Sequence, residues 1–135
     1  MASGTGSTQA GILAGLAKYE IKAEVIGISV GRTKQRAENV VDEFYNQLLE
    51  HNKIKSTKNV ICVLDDYLCG GYGKYNEAIA NIAKQSVHNY GFTLDTTYTA
   101  KAFYGLQEHI QKVNQQDNVL FWHTGGFLNY LNDTL

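Results

Sequence analysis

The segment Ala2-Ser3-Gly4-Thr5-Gly6-Ser7-Thr8 precedes a stretch rich in alanine, leucine and isoleucine that runs to Tyr19. Its glycines permit positive φ angles and close backbone approach, and its hydroxyl groups add hydrogen-bond donors. Several successive N–H groups can therefore converge on one point, where a following helix adds free N–H groups and the positive end of its dipole. The segment predicts a phosphate-binding loop at the start of a helix.

This loop does not match the common nucleotide-binding patterns. It lacks the Gly-Lys-Ser/Thr ending of a Walker A loop, and Gln9 stands where a Gly-x-Gly-x-x-Gly fingerprint needs its last glycine. An unstructured, tag-like N-terminus followed by a capped helix therefore remains an alternative. Only Met1 precedes the segment, so we expect that no strand feeds the loop and that the chain is part of a larger protein.

Apolar runs and helical stretches alternate along the chain. Runs rich in β-branched residues at Glu24 to Val30, Asn59 to Leu64 and Asn118 to Trp122 predict buried, parallel strands. Apolar residues recur with helical period at 37–48, 78–83 and 102–113. The alternation predicts an α/β fold with an open, mostly parallel sheet and helices on both faces. We expect one partial domain over residues 1–135.

The composition narrows the classes of partner. Twelve basic and thirteen acidic residues give a net charge of -1 without long charged blocks, so neither nucleic acid nor a membrane is an expected partner. No apolar run is long enough to cross a bilayer. Cys62 and Cys69 have no companion residues at zinc-ligand spacing, so we expect reduced thiols, no metal site and a cytoplasmic location.

Two glycine-rich segments follow predicted strands. Tyr72 lies between glycines after the second strand, and His123-Thr124-Gly125-Gly126 follows the third. Residues just past the carboxyl ends of parallel strands face the ligand crevice, so the phenol of Tyr72 and the hydroxyl of Thr124 are candidates for ligand contact. A surface turn is the alternative for Tyr72, and a histidine such as His123 is more often a hydrogen-bonded structural residue than a catalyst.

Four motifs, taken together, resemble the D-cysteine desulfhydrase and 1-aminocyclopropane-1-carboxylate (ACC) deaminase family in order and spacing. They span nearly the whole chain and are Ala2-Ser3-Gly4-Thr5-Gly6-Ser7-Thr8-Gln9-Ala10-Gly11; Asp65-Asp66-Tyr67 with Gly71-Tyr72-Gly73; Leu94-Asp95 with Tyr98-Thr99-Ala100-Lys101-Ala102; and Leu120-Phe121-Trp122-His123-Thr124-Gly125-Gly126. The resemblance implies a tryptophan-synthase-β-like fold that binds pyridoxal 5'-phosphate (PLP). It covers less than half of a family member, the cofactor-binding C-terminal part.

The resemblance also implies roles for individual residues. The loop would grip the PLP phosphate, Thr124 would lie beside the pyridine nitrogen, and Tyr98 and Tyr72 would be catalytic. Tyr98 matches the tyrosine that stacks near the PLP ring, and Tyr72 matches the one that lines the substrate side. The cofactor-binding residues are then Ser3, Gly4, Thr5, Gly6, Ser7, Thr8, Thr99 and Thr124.

Thr99 and Thr124 favour the desulfhydrase branch, since ACC deaminases have glutamate and leucine at these places. A carboxylate against the pyridine nitrogen keeps it protonated and strengthens the ring as an electron sink, which cyclopropane opening requires. A hydroxyl leaves the ring neutral, and thiolate is a good enough leaving group without that help. The resemblance therefore implies β-elimination from D-cysteine or a related small amino acid, giving pyruvate, ammonia and sulfide.

None of the ten lysines fits the lysine that holds PLP covalently in this family. Lys101 belongs to a family motif that contains it in addition to the cofactor-bound lysine. The resemblance therefore implies a lysine-bearing N-terminal half as a partner, a homodimeric full-length enzyme and an inactive isolated chain. Two other hypotheses remain open: a non-catalytic phosphate- or nucleotide-binding α/β module, and a remnant that does not fold stably.

Overall fold

The computed structural model describes residues 1–55, 60–114 and 116–134, and in them strands and helices alternate as far as the third strand. The order confirms the predicted α/β class. The elements are β1 Ala2–Ser3, α1 Ser7–Lys18, β2 Ile26–Ser29, α2 Lys34–His51, β3 Cys62–Leu64, α3 Glu77–Tyr90, α4 Thr99–Ile110 and α5 Phe127–Thr134.

The three strands form one parallel sheet in the order β1-β2-β3. Ile28 in the central strand is in register with Ala2 on one side and with Leu64 on the other. Parallel neighbours need a long crossover between them, and α1 and α2 supply these two crossovers. All three strands therefore end at the same edge of the sheet, where the loops that follow them meet.

The strand that feeds the glycine-rich loop is present, so the expectation of a missing strand is wrong. β1 has only two residues, but its ladder also uses the carbonyl of Met1, which accepts from the Ile28 N–H at 2.8 Å. The carbonyl of Ser3 accepts from the Val30 N–H at 3.3 Å. A parallel ladder takes its bonds from alternate residues, so this short stretch already fixes the loop on the sheet.

Helices cover both faces of the sheet, as predicted. On one face α1 and α2 pack against each other, and Leu13, Val41 and Leu49 share a core cluster with Val25. On the other face α4 packs on β1 and β2. Gly105 permits this contact, since a Cβ atom there would lie 2.8 Å from Ile28.

The predicted third strand, Asn118 to Trp122, is not a strand in the structure. A strand needs a neighbour for its backbone bonds, and in the described parts of the chain this segment pairs with none. Leu120 is 78% exposed and Trp122 is 48% exposed, while Phe121 packs on the buried clusters beside α4. The predicted strand from Asn59 is shorter, and Asn59 itself lies outside the described residues.

Across the three described ranges, no helix has the length and apolarity that a bilayer crossing requires.

Candidate functional site

A cleft of about 790 Å³ lies where the loops after β1 and β2 meet three later segments. The first loop contributes one wall, the residues after β2 the floor, and the segments around Tyr72, Tyr98 and Thr124 the remaining walls. The lining residues are Ala2, Gly4, Thr5, Thr8, Val30, Gly31, Arg32, Arg36, Tyr72, Tyr98, Thr124, Gly125, Gly126 and Asn129.

The loop wall of the cleft ends at the N-terminus of α1. Gly6 is the N-cap residue in the left-handed region, with φ 91°, and no side chain caps the helix there. The first N–H groups of a helix have no partners within the helix, so this turn offers donors toward an anion. The hydroxyl groups of Thr5 and Ser7 lie 3.0 Å apart in the same turn.

Two arginines that the sequence analysis did not single out also line the cleft. The guanidinium of Arg32 donates a short hydrogen bond to the Gly4 carbonyl, and Arg36 lies one turn further along the chain. The backbone N–H of Arg32 donates to the Ser29 hydroxyl at 3.0 Å, which fixes its position at the end of β2. The rule that residues just past strand ends face the crevice could have identified Arg32, whereas Arg36 already lies in the first turn of α2.

Tyr72 and Tyr98 form a pair in the cleft, with the Tyr98 ring next to Gly4 of the first loop. Their hydroxyl groups share a short hydrogen bond, and their ring centroids lie 5.8 Å apart at an interplanar angle of 75°. The hydrogen bond to Tyr72, with partial burial, raises the pKa of Tyr98 to about 12. Gly31 leaves room for this arrangement, since a Cβ atom there would lie 3.1 Å from the Cβ of Tyr72.

The last wall is the segment that carries Thr124. His123 beside it is a structural histidine: the Gly125 N–H donates to its Nδ1 at 3.1 Å, which leaves Nε2 to donate to the Thr93 carbonyl at 2.8 Å. Gly125 and Gly126 have φ angles of 101° and 99°, a region that favours glycine. The turn thereby directs the chain past the cleft and into α5.

Asp95 organises the start of α4 and thus the position of Tyr98. Its fully buried carboxylate accepts from the backbone N–H groups of Thr97, Tyr98 and Thr99 at 2.9 to 3.1 Å. It also accepts from the Thr99 hydroxyl at 2.7 Å, and that hydroxyl in turn accepts from the Asp95 N–H. The side chain of Thr99 is therefore directed into this network.

The structure brings six of the predicted site residues together around the cleft and places four elsewhere. The six are Gly4, Thr5, Thr8, Tyr72, Tyr98 and Thr124; the four are Ser3, Gly6, Ser7 and Thr99. Ser3 is buried in β1, Gly6 packs against Val41, and Ser7 lines a second hollow between α1 and α2. The roles given to all ten residues remain predictions.

No lysine lines the cleft in the ranges that the structure covers; Lys58 lies outside them. Lys101 does not line the cleft: its side chain is fully buried, and its ammonium group donates to the backbone carbonyls of Val30, Leu68 and Gly71. Within the same ranges, no cluster of three His, Cys, Asp or Glu residues could hold a metal ion.

Comparison with known proteins identifies relatives over most of the chain, although no protein-family model matches it. A Pyrococcus furiosus protein, named as a candidate ACC deaminase, is 36% identical over 93% of this chain. A Klebsiella pneumoniae protein named D-cysteine desulfhydrase is 35% identical over the same share. The chain is homologous to the ACC deaminase and D-cysteine desulfhydrase family. The predicted family resemblance is therefore confirmed.

A solved structure supports the same family and fixes the fold. The crystal structure of an ACC deaminase homologue matches 98% of this chain with a TM-score of 0.84 and 32% sequence identity. This match confirms the PLP-enzyme fold. The chain covers 42% of that structure, and it spans 38% and 39% of the lengths of the Pyrococcus and Klebsiella family members.

Proposed function

We propose that this chain binds PLP by its phosphate group and forms part of a PLP-dependent lyase that performs β-elimination on D-cysteine or a related small amino acid. The observation that carries the proposal is the shared cleft, which Gly4, Thr5 and Thr8 line together with Tyr72, Tyr98 and Thr124. A phosphorylated aromatic cofactor needs hydrogen-bond donors for its phosphate, which the turn before α1 would provide. The two phenols in the same cleft would lie near its ring and the reacting substrate.

The residues present fit PLP. The uncapped first turn of α1, the hydroxyls of Thr5 and Thr8 and the guanidinium of Arg32 form a donor set for a phosphate dianion. The cleft volume of about 790 Å³ lies in the range of small-molecule sites. Thr124 lines the cleft with a hydroxyl, so the protein would offer the pyridine nitrogen a neutral group at this place.

When bound, PLP supplies an electron sink for the carbanion at the substrate α-carbon. The chain itself supplies binding and proton-holding groups. Because the pKa of Tyr98 is about 12, its phenol keeps its proton near neutral pH. The Tyr98 phenol is therefore suited to hold its proton and to donate a hydrogen bond in the cleft.

Thr99 and Thr124 support the desulfhydrase side of the family, since ACC deaminases have glutamate and leucine at these places. A threonine in place of the glutamate does not hold a positive charge on the pyridine ring as a carboxylate would, and elimination of a thiolate can proceed with the weaker electron sink. The Thr99 hydroxyl is bonded to Asp95, so of the two residues only Thr124 lines the cleft.

Turnover also needs a lysine for covalent attachment and proton transfer at the α-carbon. We propose that a lysine-bearing N-terminal half supplies it, in an enzyme that is homodimeric when complete and cytoplasmic. The isolated chain is then expected to bind PLP without turning over substrate. When a lysine-bearing segment is added, we expect the chain to release sulfide from D-cysteine. We expect no consumption of ACC.

The binding part of the proposal is tested by calorimetric titration of the purified chain with PLP, pyridoxal and ATP. We expect PLP to bind more tightly than pyridoxal, since pyridoxal lacks the phosphate. Thr8→Val should weaken PLP binding and leave pyridoxal unchanged, whereas Thr33→Val, at an exposed threonine outside the cleft, should change neither. Tighter binding of ATP than of PLP would favour the non-catalytic nucleotide module, and no PLP binding in a chain that melts cooperatively would refute the proposal.

A further inference from the structure

Lys101 is a fully buried lysine whose charged end donates hydrogen bonds to backbone carbonyls. Its exposed fraction is 0%. The Nζ atom donates to the carbonyls of Leu68 at 2.9 Å, Gly71 at 3.0 Å and Val30 at 3.3 Å. An ammonium group has three N–H donors, and three acceptors match them. Among the residues that the structure describes, Lys101 takes part in no ion pair.

A buried ammonium without a counter-charge is an unfavourable choice for packing alone. Methionine would fill a similar volume without the desolvation cost. Burial lowers the pKa of Lys101, and the nearby Cys69 thiol works against that shift. The three hydrogen bonds offset part of this cost by joining the end of β2 at Val30 to the turn that contains Leu68 and Gly71. An apolar side chain would remove the donor to the Val30 carbonyl, whereas the carbonyls of Leu68 and Gly71 also accept from backbone N–H groups within the turn.

All three segments lead to the tyrosine pair. The carbonyl of Val30 precedes Gly31, whose backbone lies against the Tyr72 side chain. The carbonyl of Gly71 belongs to the residue directly before Tyr72, and Lys101 itself stands on α4 three residues after Tyr98. One ammonium group therefore connects the end of β2, the glycine-rich turn and the first turn of α4.

We propose that Lys101 is a positioning residue for the cleft: its ammonium group holds the turn that carries Tyr72 against the helix that follows Tyr98, and so sets the hydrogen bond between their hydroxyls. The side chain acts through the backbone of the turn and does not reach the cleft. This positioning role concerns the chain without any ligand, so the result of its test does not depend on whether the chain binds PLP.

The test compares Lys101→Met with Lys84→Met, an exposed lysine on α3. Tyrosine is labelled at the ring Cζ atom, and the Tyr98 resonance, assigned by its loss in Tyr98→Phe, is recorded at neutral pH. In the wild-type chain and in Lys84→Met, adding Tyr72→Phe should shift this resonance, because the hydrogen bond is lost. In Lys101→Met, adding Tyr72→Phe should produce no shift, because the hydrogen bond is already absent.

Chemical rescue separates positioning from general stability. In Lys101→Ala the Tyr98 resonance should return toward its wild-type position when n-propylammonium is added, since this cation can occupy the vacated space. The uncharged n-propanol, of the same length, should leave the resonance unchanged. If Lys101 only stabilised the fold, Lys101→Met and Lys101→Ala would have lower melting temperatures. The Tyr98 resonance would then still shift when Tyr72→Phe is added.

Retention of the full Tyr72→Phe shift in a folded Lys101→Met chain would overturn the proposal. If the variants do not fold, the wild-type chain still decides the point. Scalar couplings across the hydrogen bonds from Nζ of Lys101 to the three carbonyl carbons are expected, and their absence would overturn the proposal as well.

Discussion

Asp95 and Gly126 lie directly against each other, although 30 residues separate them along the chain. A Cβ atom built on Gly126 would lie 2.4 Å from the Oδ1 atom of Asp95. Asp95 fixes the start of α4 and thereby Tyr98, while Gly126 belongs to the wall that carries Thr124. Two walls of the cleft are therefore in contact through one carboxylate and one glycine.

Replacement of Gly126 by alanine should displace this carboxylate. We expect Gly126→Ala to lower the free energy of unfolding by about 2 to 4 kcal/mol, because a strained φ and a buried clash add together. Urea unfolding measures the loss. Gly125→Ala is the matched control, since it has a similar φ of 101° with no neighbour within 4 Å. Equal losses for the two variants would show that the contact with Asp95 is unimportant.

The carboxylate of Asp95 should be required for stability, since one oxygen accepts from Thr97 and Tyr98 and the other from Thr99. Asparagine has one acceptor oxygen in place of two, so Asp95→Asn leaves buried N–H groups unpaired. We expect a loss of about 2 to 3 kcal/mol in the free energy of unfolding. Asp66→Asn, at an exposed aspartate, serves as the control and should change stability little. A stable Asp95→Asn chain would contradict the role of this network.

Removal of the Tyr72 hydroxyl should lower the pKa of Tyr98 from about 12 toward 10, since the hydrogen bond with Tyr72 is the largest cause of the rise. The raised pKa favours the folded state below pH 10, and this contribution is lost as the pH rises from 10 to about 12. Stability of Tyr72→Phe should therefore depend less on pH in that window. The control is Tyr75→Phe, at a half-exposed tyrosine outside the cleft. It should leave both the titration of Tyr98 and the pH dependence of stability as they are in the wild type. An unchanged Tyr98 titration in Tyr72→Phe would count against the pair.

Arg32 should contribute to anion binding in two ways, by its charge and by its hydrogen bond to the Gly4 carbonyl. We expect Arg32→Met to weaken the binding of PLP by about tenfold, as the loss of a charged hydrogen bond does. Arg36→Met removes a similar charge from the cleft lining without that bond, so its loss should be smaller. Calorimetric titration at two salt concentrations compares them. Equal affinities in the wild type and Arg32→Met would exclude Arg32 from the site.

The sequence predicts the fold class and the cleft well where local chemistry decides them. The glycine-rich loop before α1 and the glycines around Tyr72 mark turns that follow strands, and strand ends of a parallel sheet meet at one edge. That rule predicts Tyr72, which follows β3, in the cleft. Thr124 lines the cleft as well, but the rule reaches it through a predicted strand that the described chain does not contain, so its position does not follow from the sheet topology.

Other features depend on pairing that a sequence does not show. Residues Asn118 to Trp122 have a strand-like composition, but strand structure requires a hydrogen-bonded neighbour, which the described chain lacks there. Likewise, the motif predicts that Thr99 contacts the cofactor, yet its hydroxyl donates a hydrogen bond to the nearby Asp95 carboxylate. Side-chain orientation within a motif is decided by the closest buried partner, and that partner is visible only in three dimensions.

Trp122 gives the molecule a built-in optical reporter. It is the single tryptophan of the chain, it is about half exposed, and only His123 separates it from Thr124 in the wall of the cleft. Its fluorescence therefore arises from one known place, and an occupant that absorbs near-ultraviolet light should quench it by energy transfer. Filling of the cleft could thus be followed in real time without any attached dye.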